Sequence, residues 1–197
     1  MLTPKQWAIL AQQAYASIPD LGPEDSAGRV CFVQSEQGLI LAVPGTNNER
    51  CVLADVEAIP YDAGACGMVH KGIWQAFDPI WPDVAKLTVY TLVGHSEGGA
   101  GVLYLGARLC LIGKPPKVIY AWEPPRASID TNLAEIFSKY RVVVHIMKHG
   151  NDVVPDLPPS MPGLDWRHPG PVTKFGHAAL PFPNIEDHMI DGIVADL

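Results

Sequence analysis

Hydrophobic and polar positions along the chain form blocks that predict a repeated order of strands and helices. Apolar runs at 87–93, 117–122 and 141–147 are typical of strands that are covered on both faces. Patterns that suit helices follow the first two of these runs, over 98–112 and 128–139. Strand–helix–strand–helix–strand order predicts a parallel sheet with right-handed crossovers.

The pattern is different at the two ends of the chain. Residues 4–17 carry an apolar stripe at helical spacing, and Pro4 suits a helix start. The β-prone runs 29–34 and 39–43 are separated by a polar turn signal, which predicts a hairpin. The remaining segments are predicted to be an irregular stretch at 46–69 with short helix potential at 49–58, a helix at 72–86 interrupted by Pro79 and Pro82, and Pro-rich loop from 155 onward with a short helix near 186–195.

Composition and length predict one globular domain that spans residues 1–197. The chain has 197 residues, of which 48% are hydrophobic and 18% are charged. A chain of this length buries about 70% of its unfolded surface, so it needs no disulfide or metal for stability. Its net charge is −7, from 14 basic and 21 acidic residues, and it has no run of Lys or Arg. Nucleic acid is therefore excluded as the main partner.

The ends of the chain and its cysteines suggest a compartment. The N-terminus lacks a basic stretch followed by an apolar core, and no apolar run approaches the about 18 residues of a membrane span. We therefore expect a cytoplasmic location, unless another route releases the chain, and no transmembrane segment. Cys31 and Cys110 lie in apolar runs and are interpreted as core residues. Cys51 and Cys66 could form a bridge, although the reduced state is favoured without a secretion signal.

A short motif between a predicted strand and a predicted helix carries the chemistry. Gly94-His95-Ser96-Glu97-Gly98 joins the run at 87–93 to the helix at 98–112. A Gly-x-Ser-x-Gly segment in this context is a nucleophile elbow, which lifts the hydroxyl above the sheet edge. The alternative is an ordinary strand–helix turn. We interpret His95 as a packing residue, because a base must reach Ser96 from the opposite side.

With these residues the sequence resembles the class 3 (fungal-type) lipase family, in a compact microbial or phage-like form. The similarity covers roughly residues 29–195 and implies an α/β-hydrolase fold, with a mostly parallel central sheet, helices on both faces and an N-terminal hairpin. The segments that agree in order are Leu41-Ala42-Val43-Pro44-Gly45-Thr46 with the oxyanion strand, Val69-His70-Lys71-Gly72-Ile73 with V-H-x-G-F, the elbow with G-H-S-x-G-G-A, Pro125-Arg126 with the P-R loop, and Asn151-Asp152-Val153-Val154-Pro155-Asp156-Leu157-Pro158 with the acid loop. The sequence departs from the family at Pro44, where Arg is usual, and at Glu97, where apolar residues are common.

A serine nucleophile needs a histidine to take its proton and a carboxylate to orient that histidine. In this fold the order along the chain is serine, acid, histidine. The resemblance implies Asp152 as the acid and His188 as the base. Glu123, at the end of the run at 117–122, is the alternative acid or a buttress for the active-site loops. His168 and His177 are the alternative bases.

The oxyanion hole is expected to combine the backbone N–H groups of Thr46 and Glu97, with help from the Thr46 hydroxyl. The Glu97 carboxylate must point away from the oxyanion or be paired, and Arg50 and Lys71 are possible partners. His145 and His149 stand four residues apart on a predicted strand, so this pair is interpreted as structural. We expect no metal site and no cofactor.

These inferences predict a serine carboxylic-ester hydrolase, a lipase or esterase, which acts on small-molecule or lipid esters through an acyl-enzyme. The segment 47–54 is short and polar, which predicts little interfacial activation and a preference for short or medium acyl chains. One alternative is an O-deacetylase of polysaccharide or cell-wall esters. Another is a catalytically silent binding domain, although the intact Ser, Asp and His count against it. The sequence does not indicate an oligomeric state.

Overall fold

The central sheet of the protein is predominantly parallel. The computed structural model describes residues 2–46 and 59–197. Numbered along the chain, the sheet strands that it describes stand in the order β1 (Cys31–Ser35), β2 (Gly38–Val43), β5 (Val89–His95), β6 (Val118–Trp122), β7 (Val143–His149) and β8 (Val172–Phe175). β1 and β2 form the predicted antiparallel hairpin, and the other neighbouring strands are parallel. Two short strands, β3 (Pro60–Asp62) and β4 (Met68–His70), pair with each other.

Helices cover both faces of this sheet. Their bounds are α1 (Pro4–Ala16), α2 (Lys71–Phe77), α3 (Trp81–Val84), α4 (Glu97–Leu111), α5 (Asn132–Tyr140) and α6 (Ile190–Asp196). On one face α1 and α6 pack on the side that includes Ile40, Ala42 and Val93. On the other face α4 packs on Leu41 and Leu92, with α2 and α5 against it. Successive strand residues point to opposite faces. Because helices cover both faces, β2 and β5 are continuous apolar runs.

Local sequence explains where the helices begin and end. Thr3 forms a capping box with Gln6 at the start of α1, with Pro4 at the first helical position. The predicted interruption of helix 72–86 is present, since α2 ends at Phe77 and α3 starts at Trp81. The predicted helix at 128–139 begins only at Asn132. The preceding Ser128 bridges instead to Val69 and Arg167, and this pairing holds the backbone extended.

Two predictions about irregular segments were wrong. Residues 46–69 contain the β3–β4 hairpin, and the Pro-rich region after 155 contains β8. The side chains of β8 are mostly exposed, so the strand has little apolar signal and is stabilised by pairing with β7 at the sheet edge. The short helix predicted at 49–58 lies outside the described residues. No helix of the described ranges is long and apolar enough to cross a bilayer.

The cysteines within the described ranges are buried free thiols. Cys31 and Cys110 pack in the core, as predicted, and Cys66 is also buried as a free thiol. Burial raises the pKa of the Cys66 thiol to about 11, so this sulfur is held in its protonated form at neutral pH. Cys51, the other half of the predicted Cys51–Cys66 bridge, lies outside the described residues.

Candidate active site

Ser96 lies on a tight turn between the carboxyl end of β5 and the first residue of α4. Its backbone has φ 57° and ψ −129°, a conformation that L-residues rarely adopt, and its N–H donates to the Trp122 carbonyl at 2.9 Å. The turn depends on two glycines. A Cβ atom at Gly94 would lie 2.3 Å from the Gly98 carbonyl oxygen, and one at Gly98 would lie 2.3 Å from that of Pro44. Ser96 therefore occupies the strained position of a nucleophile elbow.

Three of the sequence-predicted residues meet in one hydrogen-bonded line. The Ser96 Oγ and the His188 Nε2 are 2.8 Å apart, and the His188 Nδ1 and the Asp152 Oδ2 are 2.7 Å apart. All three side chains are fully buried. Because a carboxylate only accepts, the Nδ1–H of His188 donates to Asp152, which leaves Nε2 to accept from the serine hydroxyl. The arrangement can draw a proton from Ser96 toward His188.

The carboxylate of Asp152 is held in its ionised form by its donors. Burial alone would raise its pKa, but the hydrogen bond from His188, the positive charge of His188 when protonated and the hydrogen bond from the Val154 N–H hold that pKa below its ordinary value. The Val154 N–H is 2.9 Å from Asp152 Oδ1, so each carboxylate oxygen has a donor. Asp152 can thus carry the negative charge that a histidine base requires.

The alternative residues lie in other surroundings. His168 Nε2 donates to the Pro155 carbonyl at 2.8 Å, and His177 is an exposed residue whose backbone N–H donates to Asp196 at 2.7 Å. Glu123 is fully buried and close to Asp152, but it is Asp152 that accepts from His188. Among the weighed candidates, the structure brings together Ser96, His188 and Asp152.

A buried chain of hydrogen bonds supports the backbone of His188. The Tyr15 hydroxyl is 2.7 Å from His95 Nδ1, and His95 Nε2 is 2.9 Å from the His188 carbonyl oxygen. Burial, reinforced by the neighbouring His188, lowers the pKa of His95 to about 3, so its ring is neutral. The carbonyl accepts, so His95 carries its proton on Nε2 and accepts from Tyr15 at Nδ1. Sequence reasoning missed Tyr15, because it belongs to the apolar stripe of α1.

Asp187 fixes the loop that carries His188. Its carboxylate accepts from the backbone N–H of Asn151 at 2.7 Å, from that of Ala179 at 2.8 Å and from the Asn184 amide at 3.0 Å. These bonds connect the histidine loop to the segment that precedes Asp152. The loop that carries the acid and the loop that carries the base are therefore joined by hydrogen bonds to Asp187.

The predicted oxyanion segment runs directly beneath the elbow. Gly45 lies so close that a Cβ there would be 2.8 Å from Ser96 Cβ. The next residue, Thr46, has a buried hydroxyl oxygen that makes no hydrogen bond to any described residue. The backbone N–H of Glu97 opens α4, where the positive end of the helix dipole lies. Together these groups can line a site for a developing negative charge.

Arg29 contacts the predicted oxyanion segment. Its guanidinium is buried and donates to the Gly45 carbonyl at 3.3 Å and to the Ser26 carbonyl at 2.7 Å. The position that is usually Arg is occupied here by Pro44. A guanidinium that arrives from the residues before β1 thus reaches the oxyanion segment. No motif points to Arg29, because its contact with Gly45 depends on the hairpin.

Arg29 also acts on the unusual acid of the elbow. Burial raises the pKa of Glu97, and the positive charge of Arg29 lowers it in part. The prediction names Arg50, which lies outside the described residues, and Lys71 as partners. Arg29 supplies a compensating charge that the sequence analysis does not name.

Comparisons with known proteins relate the chain to fungal lipases. The secreted mono- and diacylglycerol lipase A of Penicillium cyclopium and that of Penicillium camembertii are each 26% identical to the chain over 189 residues, which cover 87% of this chain. Lipase II from Rhizopus niveus superposes with a TM-score of 0.70 at 22% identity, over 85% of this chain and 76% of that one. No family model matches the chain. The structural likeness confirms the predicted α/β-hydrolase fold.

These relatives also define how far the comparison extends. The chain spans 59% of the length of the two curated relatives. Both are described as secreted, so the prediction of a cytoplasmic location was wrong. That prediction rested on the pattern of the first residues of the sequence, which does not determine the compartment in which a folded chain works.

Proposed function

We propose that this chain, a relative of the class 3 (fungal-type) lipases with their α/β-hydrolase fold, is a serine carboxylic-ester hydrolase that works through an acyl-enzyme. The observation that carries the proposal is the buried line from Ser96 through His188 to Asp152, with 2.8 Å and 2.7 Å between successive partners. A base within hydrogen-bond reach of the hydroxyl, itself oriented by a carboxylate, is the arrangement that activates a serine.

In the proposed acylation, Ser96 Oγ attacks the ester carbonyl carbon while its proton passes to His188 Nε2. Asp152 holds the Nδ1–H and stabilises the imidazolium that forms. The carbonyl oxygen becomes an oxyanion, which the backbone N–H groups of Thr46 and Glu97 bind. Collapse of the intermediate breaks the bond to the alcohol, which leaves with the proton from His188.

In the proposed deacylation, a water molecule replaces the alcohol. His188 takes one proton from the water as its oxygen attacks the acyl carbon, and the same oxyanion donors stabilise the second intermediate. The bond to Ser96 Oγ then breaks, and His188 returns the proton to it. The products are a carboxylic acid and the free enzyme, so no cofactor takes part in the balance.

The Thr46 hydroxyl is proposed as a third oxyanion donor, because it is buried near the elbow without a partner among the described residues. Replacing Thr46 with Val is expected to lower kcat by about 100-fold, since each such donor contributes roughly 100- to 1000-fold. Thr46→Ser keeps the hydroxyl and is expected to keep most of the activity. Steady-state kinetics with a soluble ester measures both variants. Equal activity of Thr46→Val and the wild type would leave the backbone N–H groups as the only donors.

The substrate is proposed to be a lipid or small-molecule ester with a short or medium acyl chain. The curated relatives are named for mono- and diacylglycerols, which supports a glycerol ester. We expect p-nitrophenyl esters to be cleaved fastest with acyl chains of short or medium length. We also expect activity on a triglyceride to rise without a jump at its solubility limit. A sharp jump there would contradict this preference, and cleavage of acetyl esters alone would favour a deacetylase.

Covalent labelling tests the proposed activity independently of the substrate. A fluorophosphonate is expected to label the wild-type protein at Ser96, since the reagent needs an activated serine. The absence of any label in folded protein would favour a silent binding domain.

A further inference from the structure

Glu123 occupies a position that a large side chain rarely takes. It follows β6 with a backbone φ of 49°, in the left-handed region that favours glycine. Its backbone N–H donates to the Met147 carbonyl at 3.0 Å, and its side chain is fully buried. A buried acid in a strained conformation persists only where the surrounding contacts determine it.

The contacts of its two carboxyl oxygens are unequal. Oε1 accepts from the His149 backbone N–H at 2.5 Å. Oε2 is buried and receives a hydrogen bond from no N–H or O–H group of residues 2–46 and 59–197. The side chains of Glu123, Asp152 and His188 each bring a polar atom within 4.8 Å of the other two. The carboxyl groups of Glu123 and Asp152 are therefore neighbours in this buried site.

Two carboxyl groups so close together in a buried site cannot both be ionised. Asp152 is the better anion, because a donor reaches each of its oxygens, from Val154 and from His188. Glu123 has one donor. Its burial, and next the adjoining Asp152, raise the pKa of Glu123 well above the usual range. The proton of the pair therefore belongs to Glu123.

The other ionisable groups near Glu123 are engaged with other partners. The positive charge of Lys148 lowers the pKa of Glu123 in part, but the Lys148 ammonium is bound to Asp156 at 2.5 Å. The ring nitrogens of His149 are occupied by the Asp187 carbonyl and the Asp196 carboxylate. His188 directs its Nδ1–H to Asp152.

We propose that Glu123 is a positioning residue whose carboxylic acid donates a hydrogen bond from Oε2 to the carboxylate of Asp152. The proposal rests on the proposed function of the Ser96 site. Asp152 then has three donors, which fix its orientation toward His188 and prevent it from rotating away. In this role Glu123 acts on the reaction through Asp152.

Infrared difference spectroscopy tests the proton without reference to activity. At neutral pH the wild-type protein is expected to show the carbonyl stretch of a protonated carboxylic acid, and Glu123→Gln is expected to lack it. Glu135→Gln, on the exposed side of α5, is the matched control and should keep the band. A wild-type spectrum without this band would overturn the proposal.

Two variants of Glu123 separate the effect of the hydrogen-bond donor from the effect of side-chain volume. Glu123→Leu keeps a similar size without a donor, and we expect kcat to fall by about 10- to 100-fold. Glu123→Gln restores an N–H donor and is expected to recover most of that loss. Equal kcat values for the two variants would overturn the role of the hydrogen bond. If Glu123→Leu does not fold, the spectrum and the pH profile of Glu123→Gln decide the question.

The pH profile distinguishes a neutral Glu123 from an ionised one. If Glu123 is neutral, Glu123→Gln removes no charge, and the acid limb of kcat against pH keeps its midpoint. If Glu123 is ionised, the variant removes a negative charge beside His188. The acid limb would then move to lower pH, and this result would overturn the proposal.

Failure of the proposed function and binding of a cation can each be distinguished from the results above. A wild-type protein that is neither active nor labelled by a fluorophosphonate would contradict the proposed function and leave the infrared test of Glu123 intact. A bound cation could also neutralise the pair of acids. Loss of activity in a chelator with recovery on adding calcium would therefore overturn the proposed proton.

Discussion

Replacing Ser96 with alanine is expected to lower kcat for a soluble p-nitrophenyl ester by about 10⁵- to 10⁶-fold. The hydroxyl is the proposed nucleophile, and alanine has no group that can form the acyl-enzyme in its place. What remains would come from the oxyanion donors and from binding. Steady-state kinetics at several enzyme concentrations measures the remaining activity of the variant. A Ser96→Ala protein that still turns over ester at the wild-type rate would remove the basis of the proposed function.

This substitution is also expected to leave the fold intact. The Ser96 side chain makes no capping bond to α4, so alanine does not remove a helix cap. It loses only the hydrogen bond to His188, which is worth about 1 kcal/mol of stability. Thermal unfolding should therefore remain cooperative and close to that of the wild type. Ser17→Ala, at an exposed position after α1, is the matched control for the kinetics.

Replacing Asp152 with asparagine is expected to lower kcat by about 10⁴-fold. The carboxylate accepts the Nδ1–H of His188 at 2.7 Å and so leaves Nε2 free to take the serine proton. An amide can turn its NH₂ group toward Nδ1, which places the ring proton on Nε2, where it faces Ser96. The histidine is then the wrong tautomer for a base.

The same measurement decides between the two buried acids. We expect Asp152→Asn to lose far more activity than Glu123→Gln, because Asp152 is the group in contact with His188. A larger loss in Glu123→Gln would assign the role of the acid to Glu123. Asp83→Asn provides the control. Asp83 is an exposed acid on α3, and within the described ranges its ion pair is with Lys86, at 2.6 Å.

Local patterns predicted most of the sheet and the position of the nucleophile. The runs at 87–93, 117–122 and 141–147 correspond to β5, β6 and β7. The observed strands β5 and β7 each lie two residues further toward the C-terminus than the predicted runs. A buried strand and an amphipathic or buried helix leave a periodic signal in the residues that form them. The elbow is likewise local, because its glycines, its serine and its flanking elements are consecutive in the chain.

Other features left little signal in their own residues. β8 is a strand because β7 pairs with it, and its exposed side chains carry no apolar run. Arg29 braces Gly45 across the hairpin. A residue whose role depends on a distant partner leaves little signal of its own, and Arg29 and Tyr15 lie outside the motifs that matched. Glu123 is named in the sequence analysis by its place at the end of the run at 117–122, as an alternative acid or a buttress.

The sequence by itself determined the class of fold, the elbow at Ser96 and, through the resemblance, the acid and base candidates. Only the tertiary structure decided which of them meet. Ser96 and His188 are 92 positions apart, and His188 and Asp152 are 36 apart. It also placed a second buried acid, Glu123, close to Asp152. Contacts of this kind arise from the packing of distant segments, and the energy of a buried charge depends on all the groups that packing brings near it.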